Sequence, residues 1–104
     1  MENSQNLRWA TAWAVREARR SAAITQDQLA GFAGLTLSCI HRTEQATRDS
    51  TLADLARIAD VLKISVWELL SDIEEEMRRG PRKLGARAGR PRKPTKKPRR
   101  RNTA

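Results

Sequence analysis

The stretch Ile24-Thr25-Gln26-Asp27-Gln28-Leu29-Ala30-Gly31-Phe32-Ala33-Gly34-Leu35-Thr36-Leu37-Ser38-Cys39-Ile40-His41-Arg42-Thr43-Glu44 reads as two short helices joined by a tight turn. Thr25 stands where it can cap the first helix, and Gln28 three residues on completes a capping box. Ile24 and Leu29 flank that cap as a hydrophobic staple, which sets the angle at which the chain enters the helix. Gly34 stops it, because glycine takes the left-handed conformation that ends helices at low steric cost. Leu35, Thr36 and Ile40 then repeat the staple-and-cap pattern for the second helix. So short a turn makes the two helices cross steeply, and Ala30 and Ala33 leave room where they touch. Helical spacing puts Leu37, Ser38, His41 and Arg42 on the face away from Ile40.

Before this stretch, Ser4 is a candidate cap for a helix from about Gln5 to Arg20 or Ser21. Leu7, Thr11, Val15, Ala18 and Ala22 recur at three- and four-residue steps as one inward stripe. Trp9 and Trp13, four apart on a neighbouring face, either broaden the core contact or form a partner surface. After the stretch, Gln45-Ala46-Thr47-Arg48-Asp49 is a polar loop. Ser50 or Thr51 starts a fourth helix with Leu52, Leu55, Ile58, Ala59 and Leu62 inward and Asp54, Arg57 and Asp60 outward. Ile64-Ser65-Val66-Trp67-Glu68-Leu69 opens a fifth with staple and capping box, and Gly80-Pro81 ends it. Glu74, Glu75 and Glu76 are expected to face solvent beside Arg78 and Arg79. Val66, Leu69, Leu70, Ile73 and Met77 carry the apolar pattern on to that end, with two readings open. Either the helix packs back on its own domain, or Trp67, Leu70, Ile73 and Met77 form the seam of a homodimer.

Thr25-Gln26, Leu29-Ala30, Gly34, Thr36, Ile40 and Glu44 resemble the helix-turn-helix of the phage Cro and repressor family, also called Xre-like. The resemblance covers roughly residues 11 to 70. It implies an all-α, five-helix repressor-like DNA-binding domain over residues 1–79, with the motif at about 25–44 and the second helix, about 36–44, in the major groove of double-stranded DNA. By the family's register Thr36, Leu37, Ser38 and Arg42 reach base edges, and Gln26 meets a phosphate. Arg42 can fork onto guanine O6 and N7, and Leu37 can meet only thymine methyls or other apolar atoms. Thr25, Gln45, Thr47 and Arg48 are further phosphate candidates, and His41 contacts phosphate or stays solvated. The resemblance pairs Glu44 with Arg19, holding the recognition helix at its angle. The family usually has glycine where Ala46 stands and an apolar residue where Thr43 stands. A left-handed Ala46 would cost about 1–2 kcal/mol.

The formal net charge of +9 is unevenly placed. Residues 1–79 hold ten Lys or Arg and twelve Asp or Glu, net −2; residues 80–104 hold eleven and none, net +11. That second segment is rich in Pro, Gly, Lys and Arg and lacks aromatic residues. It cannot bury enough apolar surface to offset the entropy of ordering, which predicts a disordered tail. Within it Arg87-Ala88-Gly89-Arg90-Pro91-Arg92-Lys93-Pro94 resembles an AT-hook, whose Gly-Arg-Pro core lies in the minor groove of A·T-rich DNA. Arg87, Gly89, Arg90, Pro91, Arg92 and Lys93 then either form a minor-groove hook or act as a sequence-blind polycation. The Lys96–Arg101 run also fits a nuclear-import signal.

One cysteine excludes an internal disulfide framework, and one cysteine with one histidine cannot build a zinc site. Cys39 and His41, two apart on one helix, cannot face each other as a nucleophile and base, so neither an enzyme nor a cofactor is expected. Cys39 is expected to pack as a small apolar residue. No run approaches the roughly 18 apolar residues of a membrane span. These readings converge on a small cytoplasmic, nucleoid-associated transcriptional regulator, with a protein partner also compatible. A nucleoid-packaging protein and the antitoxin of a toxin–antitoxin pair are the competing classes.

Overall fold

Five helices follow one another in the computed structural model, which describes residues 2–80, with side chains from residue 5 onward. They are α1 (Glu2–Ser21), α2 (Gln26–Ala33), α3 (Leu37–Glu44), α4 (Leu52–Val61) and α5 (Val66–Arg79), with no strand among the described residues. The expected disorder of the basic tail, and the hook-like run from Arg87 to Lys93, lie outside the described residues.

The helix starts follow from side-chain caps. Thr25, Thr36, Thr51 and Ser65 all hold extended backbone and accept a hydrogen bond from the amide three residues on. At Thr25 the box is reciprocal, since Gln28 Oε1 also accepts from the Thr25 amide at 2.9 Å. The helix ends share one device as well. After α1, α2, α3 and α4 the chain passes through a left-handed residue: Ala23, Gly34, Ala46 and Lys63. In each case the next amide reaches back five residues, as Leu35 N–H does to Ala30 O and Thr47 N–H to Arg42 O. Only Gly34 takes this conformation without a steric penalty. Ala46 (φ 62°) therefore carries the strain that its β-carbon implies.

Packing runs α1 against α5 and α3, α2 against α3 and α4, and α4 against α5. Leu29, Ile40, Ile58, Leu69 and Val15 are the large apolar side chains at the centre. Because α1 lies between two other helices, it buries Ala10, Thr11, Ala12, Ala14 and Val15, a broader wall than one stripe. Leu7 and Ala22, expected inward, are exposed near its ends. The helix also starts earlier than a Ser4 cap would allow, at Glu2. Trp9 packs on the core with its ring centroid 6.1 Å from that of Trp13, and the Arg16 guanidinium lies 5.7 Å from the Trp13 ring. That geometry favours the core reading for Trp9.

Three further expectations are corrected. Leu52, the first residue of α4, is exposed, because it precedes the turn at which α4 meets the core. Glu76 is buried, on the same stripe as Leu69 and Ile73, with Arg79 Nη1 3.6 Å from its Oε2. Ile73 is only 4% exposed and belongs to the core of this chain, so it cannot line a seam between two copies. Trp67, at 71%, remains outside.

Candidate nucleic-acid interface

α3 is a helix of eight residues with two different sides. Its inner side is Ile40, Thr43 and Glu44, all buried. Ile40 fills the core, and the Thr43 hydroxyl donates to Cys39 O at 2.8 Å, which satisfies a polar group where an apolar one is usual. Its outer side is Leu37, Ser38, His41 and Arg42, all exposed, with Thr36 exposed at the cap. Leu37 is 47% exposed, a large apolar side chain held in solvent on a helix that has an interior face available for leucine.

Glu44 anchors the end of that helix. Its side chain is 1% exposed, yet both oxygens are bonded. Arg19 Nε donates to Oε2 at 2.7 Å and Nη2 to Oε1 at 3.0 Å, a fork-to-fork pair joining α1 to α3. Arg19 Nη1 also donates to Ile24 O at 2.8 Å, tying the same guanidinium to the entry of α2. The Gln26 amide nitrogen donates to Glu44 Oε1 at 3.0 Å. One buried carboxylate thus fixes the mutual placement of α1, α2 and α3. The hydrogen bond from Gln26 is a feature that sequence spacing does not reveal, since residues 26 and 44 meet only once the turn is folded.

The other phosphate candidates divide by what their polar atoms already do. Thr25 Oγ1 accepts from Gln28 N–H at 3.0 Å, which leaves its own proton to donate outward. An amide nitrogen carries two protons, so Gln26 keeps one after bonding Glu44. His41 and Gln45 are exposed. The Thr47 hydroxyl donates to Arg42 O at 3.3 Å and closes the end of α3. Arg48 is turned inward instead: Nη1 and Nη2 both donate to Asp54 Oδ2 at 3.3 Å, and Nη1 to Cys39 Sγ at 3.0 Å. Beside it, Arg8 Nε donates to Asp49 Oδ1 at 2.7 Å, bracing the loop after α3 against α1. The hydrogen bond and charge of Arg8 hold the Asp49 carboxyl below the usual carboxylate range.

The profile of a helix-turn-helix domain matches residues 12–70. The chain belongs to the helix-turn-helix domain family. The fold of this helix-turn-helix chain is similar to the crystal structure of the clp gene regulator ClgR from Corynebacterium glutamicum, with a TM-score of 0.66. The two are 24% identical, over 69% of this chain and 77% of that one. Comparison with curated proteins gives no match. Among the described residues of the helix-turn-helix chain, no group of His, Cys, Asp and Glu could hold a metal ion, and no helix is long and apolar enough to cross a membrane.

Proposed function

We propose that the chain is a small transcriptional regulator of the Cro/repressor type that reads double-stranded DNA with α3 in the major groove. The observation that carries this reading is the outward set Leu37, Ser38 and Arg42 on a helix whose opposite face is locked by Ile40 and Glu44. A probe for base edges must be both exposed and immobile, because a bidentate contact tolerates little angular error. Arg42 supplies five donors in a planar fork and suits guanine O6 and N7. Leu37 discriminates only by apolar contact, so it suits a thymine methyl. Ser38 and Thr36 can both donate and accept, and contribute weaker preference.

Thr25 and Gln26 at the start of α2, with His41, Gln45 and Thr47 around α3, would set the register on the phosphates. Thr47 must first release its bond to Arg42 O. The tail residues Arg87, Gly89, Arg90, Pro91, Arg92 and Lys93 would add phosphate and minor-groove contacts. The charge division supports that role: residues 1–79 are net −2, so most attraction to a polyanion must come from the +11 of residues 80–104. Two copies meeting through Trp67, Leu70 and Met77 would present two α3 helices to half-sites about 34 Å apart.

The same charge division favours a second reading, a packaging protein of the nucleoid in which the tail does nearly all the binding. Competition assays on mixed duplexes at two salt concentrations separate the two. A regulator loses site preference with Arg42→Ala and keeps it when the tail arginines are neutralised. A packaging protein shows little preference from the start and loses most binding with the tail charges.

A further inference from the structure

Arg48 makes contacts that its place in a polar loop does not suggest. Its guanidinium spans three groups: Cys39 Sγ at 3.0 Å, Thr43 Oγ1 at 3.4 Å, and Asp54 Oδ2 at 3.3 Å from both terminal nitrogens. Cys39 and Thr43 are four apart on one flank of α3, and Asp54 sits in the first turn of α4. Asp54 is itself fixed there, since its amide donates to the capping Thr51 Oγ1 at 3.0 Å. The side chains of Arg48 and Asp54 are only 25% and 19% exposed.

α3 packs chiefly on α1 and α2, so its opposite flank is braced toward α4 by this side chain. The Arg19–Glu44 pair holds the last residue of α3, and Arg48 bonds Cys39 in its first turn and Thr43 in its last. A helix of eight residues bonded on two flanks, by Glu44 to Arg19 and by Cys39 and Thr43 to Arg48, is restrained from rolling about its own axis. Rolling is the motion that would carry Arg42 off a base edge.

We propose that Arg48 is a positioning residue for DNA readout, acting through α3 and not as a phosphate ligand. This rests on the reading above, that α3 enters the major groove. A guanidinium already shared with a carboxylate offers a phosphate little, because Asp54 offsets its charge and its donors must first be released. The two roles predict different outcomes for two conservative changes. Arg48→Lys keeps the charge but replaces a planar fork with a point charge, so it cannot span three acceptors. Asp54→Asn removes a negative charge, which by electrostatics alone should tighten binding to a polyanion.

The test uses the full chain, the duplex it selects from random fragments, and circular dichroism to establish that each variant is folded. A positioning role predicts that Arg48→Lys and Asp54→Asn each weaken binding about three- to tenfold, that the double variant is no weaker than the worse single, and that the salt slope is unchanged. It also predicts faster amide exchange across Cys39–Asp49 of the free protein in both variants, a readout that needs no DNA. Affinity kept by Arg48→Lys and raised by Asp54→Asn, with a salt slope shallower by about 0.9 in Arg48→Met, would overturn the proposal in favour of phosphate contact. Unchanged exchange with Arg42→Ala still abolishing site preference refutes the brace and leaves the groove reading standing. Site preference that survives Arg42→Ala removes the groove reading, and this proposal with it.

Discussion

Replacing Glu44 by alanine should cost the domain far more than the loss of one glutamate usually does. The carboxylate is 1% exposed and accepts three hydrogen bonds, two from Arg19 and one from Gln26. Removing one partner of a buried ion pair costs about 3–5 kcal/mol, because the surviving charge is left without compensation. Arg19 would retain Ile24 O at 2.8 Å, and its side chain is 13% exposed, so water can reach it. Both facts place the loss near the lower bound, about 3 kcal/mol. A domain of this size has a total stability of about 4–12 kcal/mol, and 3 kcal/mol should lower its melting temperature by roughly 12–24 °C. Urea unfolding followed by circular dichroism reads the change as a shift in midpoint at constant slope. The double replacement Arg19→Met with Glu44→Leu removes both charges at similar volume and should return to within about 1 kcal/mol of the parent. Its DNA binding should stay weak even so, because Gln26 has lost its acceptor. A Glu44→Ala cost below about 1 kcal/mol, the range of an exposed pair, would refute the role of Glu44 as the buried anchor.

Three other outcomes follow from the geometry. Ala46→Gly should stabilise the domain by about 0.5–1 kcal/mol, the left-handed strain relieved less the added backbone entropy, and Ala23→Gly and Lys63→Gly should act in the same direction. A lower urea midpoint for all three would contradict the shared helix-end device. Arg8 depresses the Asp49 carboxyl, so the contribution of that pair is present above the ordinary aspartate range and is lost as pH falls through the depressed value. Carboxyl chemical shifts should therefore show Asp49 titrating at higher pH in Arg8→Ala than in the parent, and an unchanged titration would sink the pairing. In the tail, Arg90→Ala should weaken binding on most duplexes and more on A·T-rich ones; equal losses on A·T- and G·C-rich duplexes would favour a plain polycation.

How much of this was legible in the sequence depends on the range of the interaction. Caps are local, so Thr25, Thr36, Thr51 and Ser65 could be read from three-residue spacings, and Gly34 from its lack of a β-carbon. The exposed face of α3 followed from period alone. Period also placed Glu76 inward with Leu69 and Ile73, but the charge of Glu74-Glu75-Glu76 suggested a solvated face. α1 departs from a single stripe for a different reason: a helix held between two neighbours buries more than one stripe and lets alanines line the wall. The pairs Arg8–Asp49 and Gln26–Glu44 left no local trace, since their partners are far apart in the chain. Arg48 lay in a loop where phosphate contact was the natural expectation, and only the fold shows Asp54 at its guanidinium.

On the proposed reading, the outer face of α3 chooses the DNA site. Selection of bound fragments from the host genome, followed by sequencing, tests it most directly when run in parallel on the parent chain and Arg42→Ala. The expected result is one enriched pseudo-palindromic sequence with the parent and none with the variant. Equal enrichment with both, or no shared sequence with either, would contradict it.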